Sequence, residues 1–323
     1  YEQWALAPIN SEHIRAFASV FDETQYDVGG TFTDVVCVAA DGTTTLAKAA
    51  STPADQSEGV VAGLAVLAET LGVTLPDLLR QTERIVHGTT VATNALLERK
   101  GAKIAMLTTE GHRDVIEMRE GLKPERYNMR LAAAPALVPR RLRFSVRERL
   151  RPDGRVEVPL DQASLDAAIA QLRAENVEAV AVCFLHSWRD ARHENAAAEA
   201  LRRALPGVFV TTSAEVLPQI KEFERFSTAA VNAYVGPIVS RYLARLRGRL
   251  EQAGYGGPVF VILSHGGVAP VEEAARLAAG TALSGPAGGV AAGVALAERG
   301  LGQDLITFDV GGTSTDIALI QEG

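Results

Sequence analysis

The chain has 323 residues, 47% of them hydrophobic, enough for a sizeable buried core spread over two domains or lobes. Its 32 Lys and Arg stand against 39 Asp and Glu, a net charge of −7 with no long basic tract, which argues against nucleic acid as a partner. No apolar run is long enough to span a membrane, no signal peptide is visible, and Cys37 and Cys183 sit in apolar runs, so buried thiols in a reducing, cytoplasmic setting are expected.

Residues 1–26 carry no pattern that assigns them, apart from a short helix expected over Ser11 to Val20. Phe21 to Tyr26, FDETQY, is too polar for the buried strand that should lead into Asp27. Asp27 to Asp34 then reads DVGGTFTD, and Asp309 to Asp316 reads DVGGTSTD; seven of eight positions agree, and both copies run on into apolar residues. In each copy an Asp at a strand end precedes Gly-Gly, which takes positive φ at low cost and leaves no Cβ to obstruct a ligand. That exposes a row of backbone N–H groups, a concavity suited to phosphate oxygens. Hydroxyls at Thr31 and Thr33, and at Thr313, Ser314 and Thr315, add neutral donors, while Asp27 and Asp309 are placed to hold Mg²⁺ directly or through water. Two such hairpins facing each other would grip a nucleoside triphosphate from both sides, with Gly29, Gly30, Gly311 and Gly312 at the phosphates. The alternative is a pair of ordinary hairpin turns, since Gly-Gly is a common connector.

Between the two copies, strands are expected at Val35–Ala39 and Thr43–Lys48, then a helix with an apolar repeat at Val60, Leu64 and Leu67. A strand at Arg84–His87, a helix at Val91–Arg99 and a strand at Lys103–Thr108 continue an alternation that argues an α/β lobe. His87 to Thr90, HGTT, lies between strand and helix. It reads either as an anion or carbonyl site with His87 as acid or base, or as a helix cap with a packed histidine. Asn94 lies one helical turn further on.

Residues 119–155 are a Pro- and Arg-rich excursion, the expected place for substrate or subunit contacts. Its arginines, Arg140, Arg141, Arg143, Arg147, Arg149 and Arg151, are either an anion-binding patch or one exposed strand face, and Arg119 and Glu120 are candidates for a substrate carbonyl. The alternation resumes with a helix at Leu165–Ala174, a strand at Ala179–Leu185, a helix at Glu194–Ala204 and a strand at Val208–Thr212. A long helix over Phe226–Gln252 is expected to be interrupted early by Pro237. Glu222, Glu224 and Arg225 at its start read as a cap, or Arg225 and Asn232 as cleft residues. A strand at Val259–Leu263 leads to a turn with His265, a ligand-facing position in an α/β sheet. SGPAGGV, Ser284 to Val290, opens another helix with small residues, for close approach to a phosphate or for tight packing. His186 and His193 lack the neighbours of a metal pair.

The doubled D-x-G-G-T-x-T-D pattern resembles the phosphate loops of the actin, sugar kinase and Hsp70 class of ATPases. HGTTVATNALLERKGAKIAMLTTEGHRDVIEMREG, LVPRRLRFSVRERL, AVCFLHSW, KEFERFSTAAVNAYVGP and SGPAGGV, in this order, resemble the large subunit of the hydantoinase and oxoprolinase family, which includes the ATP-dependent acetone and acetophenone carboxylases. His265 departs from that pattern, where most members have Asn. The strand before Asp27 is apolar in the family, so residues missing between Val20 and Asp27 are expected here, an unusual strand being the alternative. Members also continue well past the position of Gly323, so a fragment is expected.

The resemblance implies an α/β fold of the actin-like (ribonuclease-H-like) ATPase type, two lobes each with a mixed sheet flanked by helices and nucleotide in the cleft between them. Residues 27–205 would be the N-terminal lobe and 206–323 the start of the second, with 1–26 unplaced. It implies ATP and Mg²⁺, with Asp27 and Asp309 on the metal or its water and His87 on the substrate carbonyl. The leading expectation is ATP-dependent hydrolysis of a cyclic amide (a hydantoin, oxoproline or lactam). Carboxylation of a ketone is the alternative, with a non-catalytic nucleotide-switched subunit and a small-molecule kinase further behind. The expected partner is a second, unrelated family subunit in a hetero-oligomer.

Overall fold

The computed structural model describes residues 23–321 except 29–31, 51, 53–54, 120–124, 126, 132–134, 299, 301, 303 and 311–314; for 23–28, 295, 308–310 and 315–316 the backbone alone is described. Three strands, β1 (Glu23–Val28), β2 (Phe32–Val38) and β3 (Thr44–Ala50), form an antiparallel meander. The polar stretch before Asp27 is therefore a strand after all. Its backbone pairs with a neighbour on each side. Helix α1 (Gln56–Thr70) follows, capped by Asp55, whose carboxylate accepts from the Ser57 amide at 3.2 Å and the Ser57 hydroxyl at 2.7 Å. Val60, Leu64 and Leu67 are wholly buried, as their spacing predicts, and α1 packs on β2 and β3. A Cβ on Gly63 would stand 2.6 Å from a Val35 methyl, so only glycine allows this approach.

After α2 (Leu75–Gln81), β4 (Arg84–Thr89) joins the sheet parallel to β1, and α3 (Val91–Leu97) leaves it. The chain then builds a separate parallel sheet from β5 (Ile104–Thr109), β6 (Arg143–Val146), β9 (Ala179–Cys183) and β10 (Phe209–Thr212). Between these strands lie α4 (Val115–Met118), the short pair β7 (Arg149–Leu150) and β8 (Val156–Val158), and the helices α5 (Gln162–Ala174) and α6 (Arg192–Ala204). After α7 (Ser213–Val216) comes α8 (Glu222–Gln252), continuous through Pro237, contrary to the break expected from sequence. Residues on either side of the proline, Ala233, Val235, Val239 and Tyr242 among them, are buried, and that packing holds the helix across the missing hydrogen bond.

The chain then returns to its first sheet. β11 (Val259–Ile262) pairs parallel with β4, and β12 (Val268–Pro270) pairs antiparallel with β11, giving the order β12-β11-β4-β1-β2-β3. Helices α9 (Val271–Arg276) and α10 (Ser284–Glu298) precede a final hairpin, β13 (Leu305–Val310) and β14 (Thr315–Ile320). Contacts divide the chain into a first unit, running to Leu97 and resuming at Val239, and an inserted unit, Glu98–Ile238. This differs from the boundary expected at 205/206, because β11 and β12 complete the sheet that β1 to β4 begin. Both cysteines are buried thiols, in β2 and β9. No single helix among the described residues is long and apolar enough to cross a membrane.

Candidate functional site

The two DVGGT copies fold alike. In the first, Asp27 pairs with Asp34 and Val28 with Thr33; in the second, Asp309 pairs with Asp316 and Val310 with Thr315. Each pair of strands is thus closed by the same four-residue connection, with the Asp one residue before the last pair. Gly29, Gly30, Thr31, Gly311, Gly312, Thr313 and Ser314, expected at the phosphates, lie outside the described residues. Asp27, Asp309 and Thr315 are placed by backbone only, at strand ends. Thr33 is wholly buried in β2, and its methyl carbon lies toward Gly63 of α1.

The HGTT segment runs beside the first copy. In the parallel register of β1 and β4, Tyr26 pairs with His87, Asp27 with Gly88 and Val28 with Thr89, so both segments leave the sheet at the same end of its strands. The Thr89 hydroxyl accepts from the Val91 amide at 3.3 Å and starts α3, and the Asn94 amide side chain donates to the Thr90 hydroxyl at 3.3 Å.

Helix α10 joins these pieces to the second copy. At its start, the Ser284 hydroxyl donates to the Thr89 carbonyl at 3.1 Å and the Leu283 amide donates to the Thr93 hydroxyl at 2.8 Å. Along its length it packs on β4, β11, β13 and β14. A Cβ on Gly293 would stand 2.6 Å from Ile320 Cδ1 and 2.7 Å from Thr307 Cγ2, so the hairpin is seated directly on the helix backbone. Around Gly289, by contrast, a Cβ would meet nothing within 4 Å. The glycines of this helix thus divide between packing and open space. The turn carrying His265 reaches α10 too: Gly266, at φ 83°, faces Ala291 and the Ala287 carbonyl. His265 itself is exposed and accepts from the Gly267 amide at 3.2 Å.

His87 is wholly buried, and its Nε2 lies 2.8 Å from the hydroxyl of Tyr242, itself buried, on α8. Burial pushes the imidazole pKa down to about 3, so the ring is neutral near pH 7. The sequence pattern of the long helix gives no sign of this contact. The available signal is the Tyr242 hydroxyl, since a buried tyrosine usually finds a partner.

Other candidates lie in the inserted unit. Arg225 is fully buried and donates to the Ser213 hydroxyl at 3.1 Å and the carbonyls of Gln219 and Phe184 at 2.9 and 3.0 Å. Asn232, equally buried, donates to the Thr211 hydroxyl at 3.0 Å. Both hold that unit's core. Arg119 stands over the Phe223 ring at 6.0 Å, and Glu120 lies outside the described residues. His193 meets Glu148 at 2.7 Å, and no group of three or more His, Cys, Asp or Glu among the described residues is arranged to hold a metal ion.

A hydantoinase/oxoprolinase N-terminal region matches residues 25–205, and a hydantoinase/oxoprolinase region matches residues 225–323. The chain belongs to the hydantoinase/oxoprolinase family. Among relatives of this hydantoinase/oxoprolinase chain, caprolactamase subunit alpha of Pseudomonas jessenii is 41% identical over 299 residues, covering 92% of the chain and 43% of the relative. Acetophenone carboxylase gamma subunit of Aromatoleum aromaticum is 33% identical over 309 residues, covering 92% and 42%. A nucleotide-free structure of acetone carboxylase superposes with a TM-score of 0.85 at 28% identity, covering 94% of the chain and 44% of that structure's chain. The chain therefore spans less than half the length of these relatives, and shares with that structure a mixed α/β fold of several sheets flanked by helices.

Proposed function

We propose that this protein uses ATP to activate a carbonyl group, and that its substrate is a cyclic amide opened by hydrolysis. The observation that carries the reading is the duplicated hairpin: the same eight-residue pattern in the same register, one copy beside HGTT, the other seated on the helix that begins at HGTT. An antiparallel meander extended by parallel strands, followed by a second DVGGT hairpin, suits an actin-like ATPase fold with nucleotide between the two loops.

Phosphoryl transfer asks a protein mainly for positioning and charge neutralisation, which backbone N–H groups and hydroxyls at two glycine turns supply. In the proposed reaction the γ-phosphoryl group of ATP passes to the amide oxygen, releasing ADP. Water then adds to the activated carbon and the ring C–N bond breaks, leaving an amine and an acyl phosphate; a second water adds to that carbon, and phosphate departs with the former carbonyl oxygen to leave a carboxylate. Asp27 and Asp309 are hard oxygen donors at glycine turns, a set that fits Mg²⁺, which when bound would neutralise phosphate charge. We assign His87 to holding HGTT beside Asp27, because its Nε2 is engaged by Tyr242 and its ring is shut off from solvent.

The 41% identity to a caprolactamase subunit supports the lactam class. The likeness to acetone carboxylase supports ketone carboxylation as a second reading. Relatives named as alpha and gamma subunits support a hetero-oligomer with a further subunit. ATP turnover by the complete subunit with its co-purifying partners, measured with lactams and hydantoins and separately with ketones plus bicarbonate, tests the choice. Stimulation by the first set alone is expected, stimulation by the second alone would select the carboxylase, and stimulation by neither removes both.

A further inference from the structure

The four-stranded sheet of the inserted unit has the order β6-β5-β9-β10, with all four strands parallel. From β5 the chain goes to β6 on one side, then crosses by α5 to β9 on the other. The loops leaving the C-terminal ends of β5 and β9 therefore diverge, and α/β sheets bind ligands in the crevice such a divergence opens.

A buried network fixes what stands there. The Thr109 hydroxyl, at the end of β5, accepts from the Leu185 amide at 2.8 Å and donates to the Glu148 carboxylate, whose other oxygen meets His193 Nδ1 at 2.7 Å. Glu194 accepts from the Phe184 amide at 2.7 Å. The residues following Leu185 and Glu148, His186 and Arg149, are held in place by these bonds. His186 adopts φ 58°, a left-handed conformation uncommon for a residue with a Cβ, and is half-buried. Arg149, Arg225, His112 and Glu222 all lie within electrostatic reach of His186.

Of the neighbouring cations, Arg225 is occupied by the three acceptors named above. Arg140, Arg141, Arg143 and Arg151 of the Arg-rich run each pair with a carboxylate. Arg149 is half-buried and has no ion pair or side-chain hydrogen bond among the described residues. A half-buried guanidinium without a counter-ion is costly, and its planar fork suits two oxygens of one anion.

We propose that the crevice between β5 and β9 binds a small oxyanion, a carboxylate or a phosphate, gripped by Arg149 with His186 and His112 at its rim. This site is distinct from the glycine turns and does not depend on the function proposed for them. Calorimetric titration of the complete subunit with inorganic phosphate and, separately, with butanoate tests it and identifies the source. At least one probe is expected to bind, about tenfold more weakly in Arg149→Met and unchanged in Arg147→Met, an exposed neighbour. His186→Asn, which tolerates the left-handed conformation, is expected to bind a few-fold more weakly. If Arg149→Met does not fold, Arg149→Lys, which keeps the charge and loses the fork, is expected to bind several-fold more weakly. Binding of neither probe, or full-strength binding by the folded Arg149 variant, overturns the proposal.

Discussion

The hydroxyl of Tyr242 lies 2.8 Å from Nε2 of His87, with ring centroids 5.6 Å apart, joining α8 to the strand that ends in HGTT. Neither side chain is exposed to solvent beyond 2%. Tyr242→Phe removes the hydroxyl and leaves a buried ring nitrogen without that contact, at a cost of about 1–3 kcal/mol. Urea unfolding of the variant at pH 7 is the check, and an unchanged midpoint would contradict the packing described.

The same burial predicts a pH dependence. In the unfolded chain His87 titrates near 6.5, whereas in the folded protein it does so at about 3. Between those values the unfolded state binds the extra proton, so folding stability is full above about pH 6.5 and falls as pH drops toward 3. His87→Gln removes this contribution. The difference in unfolding free energy between parent and variant is expected to shrink as pH is lowered from 7 to 4, and a constant difference would contradict it.

The glycines of α10 make opposite predictions. Gly293→Ala sets a methyl within 2.7 Å of Ile320 and Thr307, which overpacks the hairpin and costs about 1–3 kcal/mol. Gly289→Ala meets nothing within 4 Å and should gain about 0.5–1 kcal/mol from helix propensity. If open space at Gly289 serves an approaching nucleotide, this stabilised variant should also bind ATP more weakly. Thermal unfolding and ATP titration on the two variants separate packing from ligand approach.

Arg225 is a test of the inserted unit alone. Replacing it by Met abandons three acceptors, two of them buried, and about 3–5 kcal/mol of stability should be lost, read as a lower denaturant midpoint. An effect below about 1 kcal/mol would mean that water reaches those groups.

Much of this fold is legible in local pattern. Val60, Leu64 and Leu67 announce α1 by spacing alone, and the repeated DVGGT announces two hairpins before any coordinates. What sequence pattern does not carry is long-range. Nothing local says that Val259–Ile262 returns across more than a hundred residues to lie beside β4, so one sheet crosses the boundary expected at 205/206. Nor does propensity forecast β1, whose polar residues are set by two partner strands. Arg225 and Asn232 look like cleft residues because charged and amide groups are usually exposed, and only the structure shows their buried acceptors. Tyr242 and Ser284, which tie HGTT to two helices, lie 155 and 195 residues from their partners.

The central claim is that phosphate from ATP is placed on the substrate's carbonyl oxygen. Turnover of a lactam carrying ¹⁸O in its carbonyl, by the complete subunit with its partner, followed by mass analysis of the released inorganic phosphate, tests it most directly. Phosphate carrying one ¹⁸O is the predicted result; unlabelled phosphate, with the label retained in the product carboxylate, would contradict it.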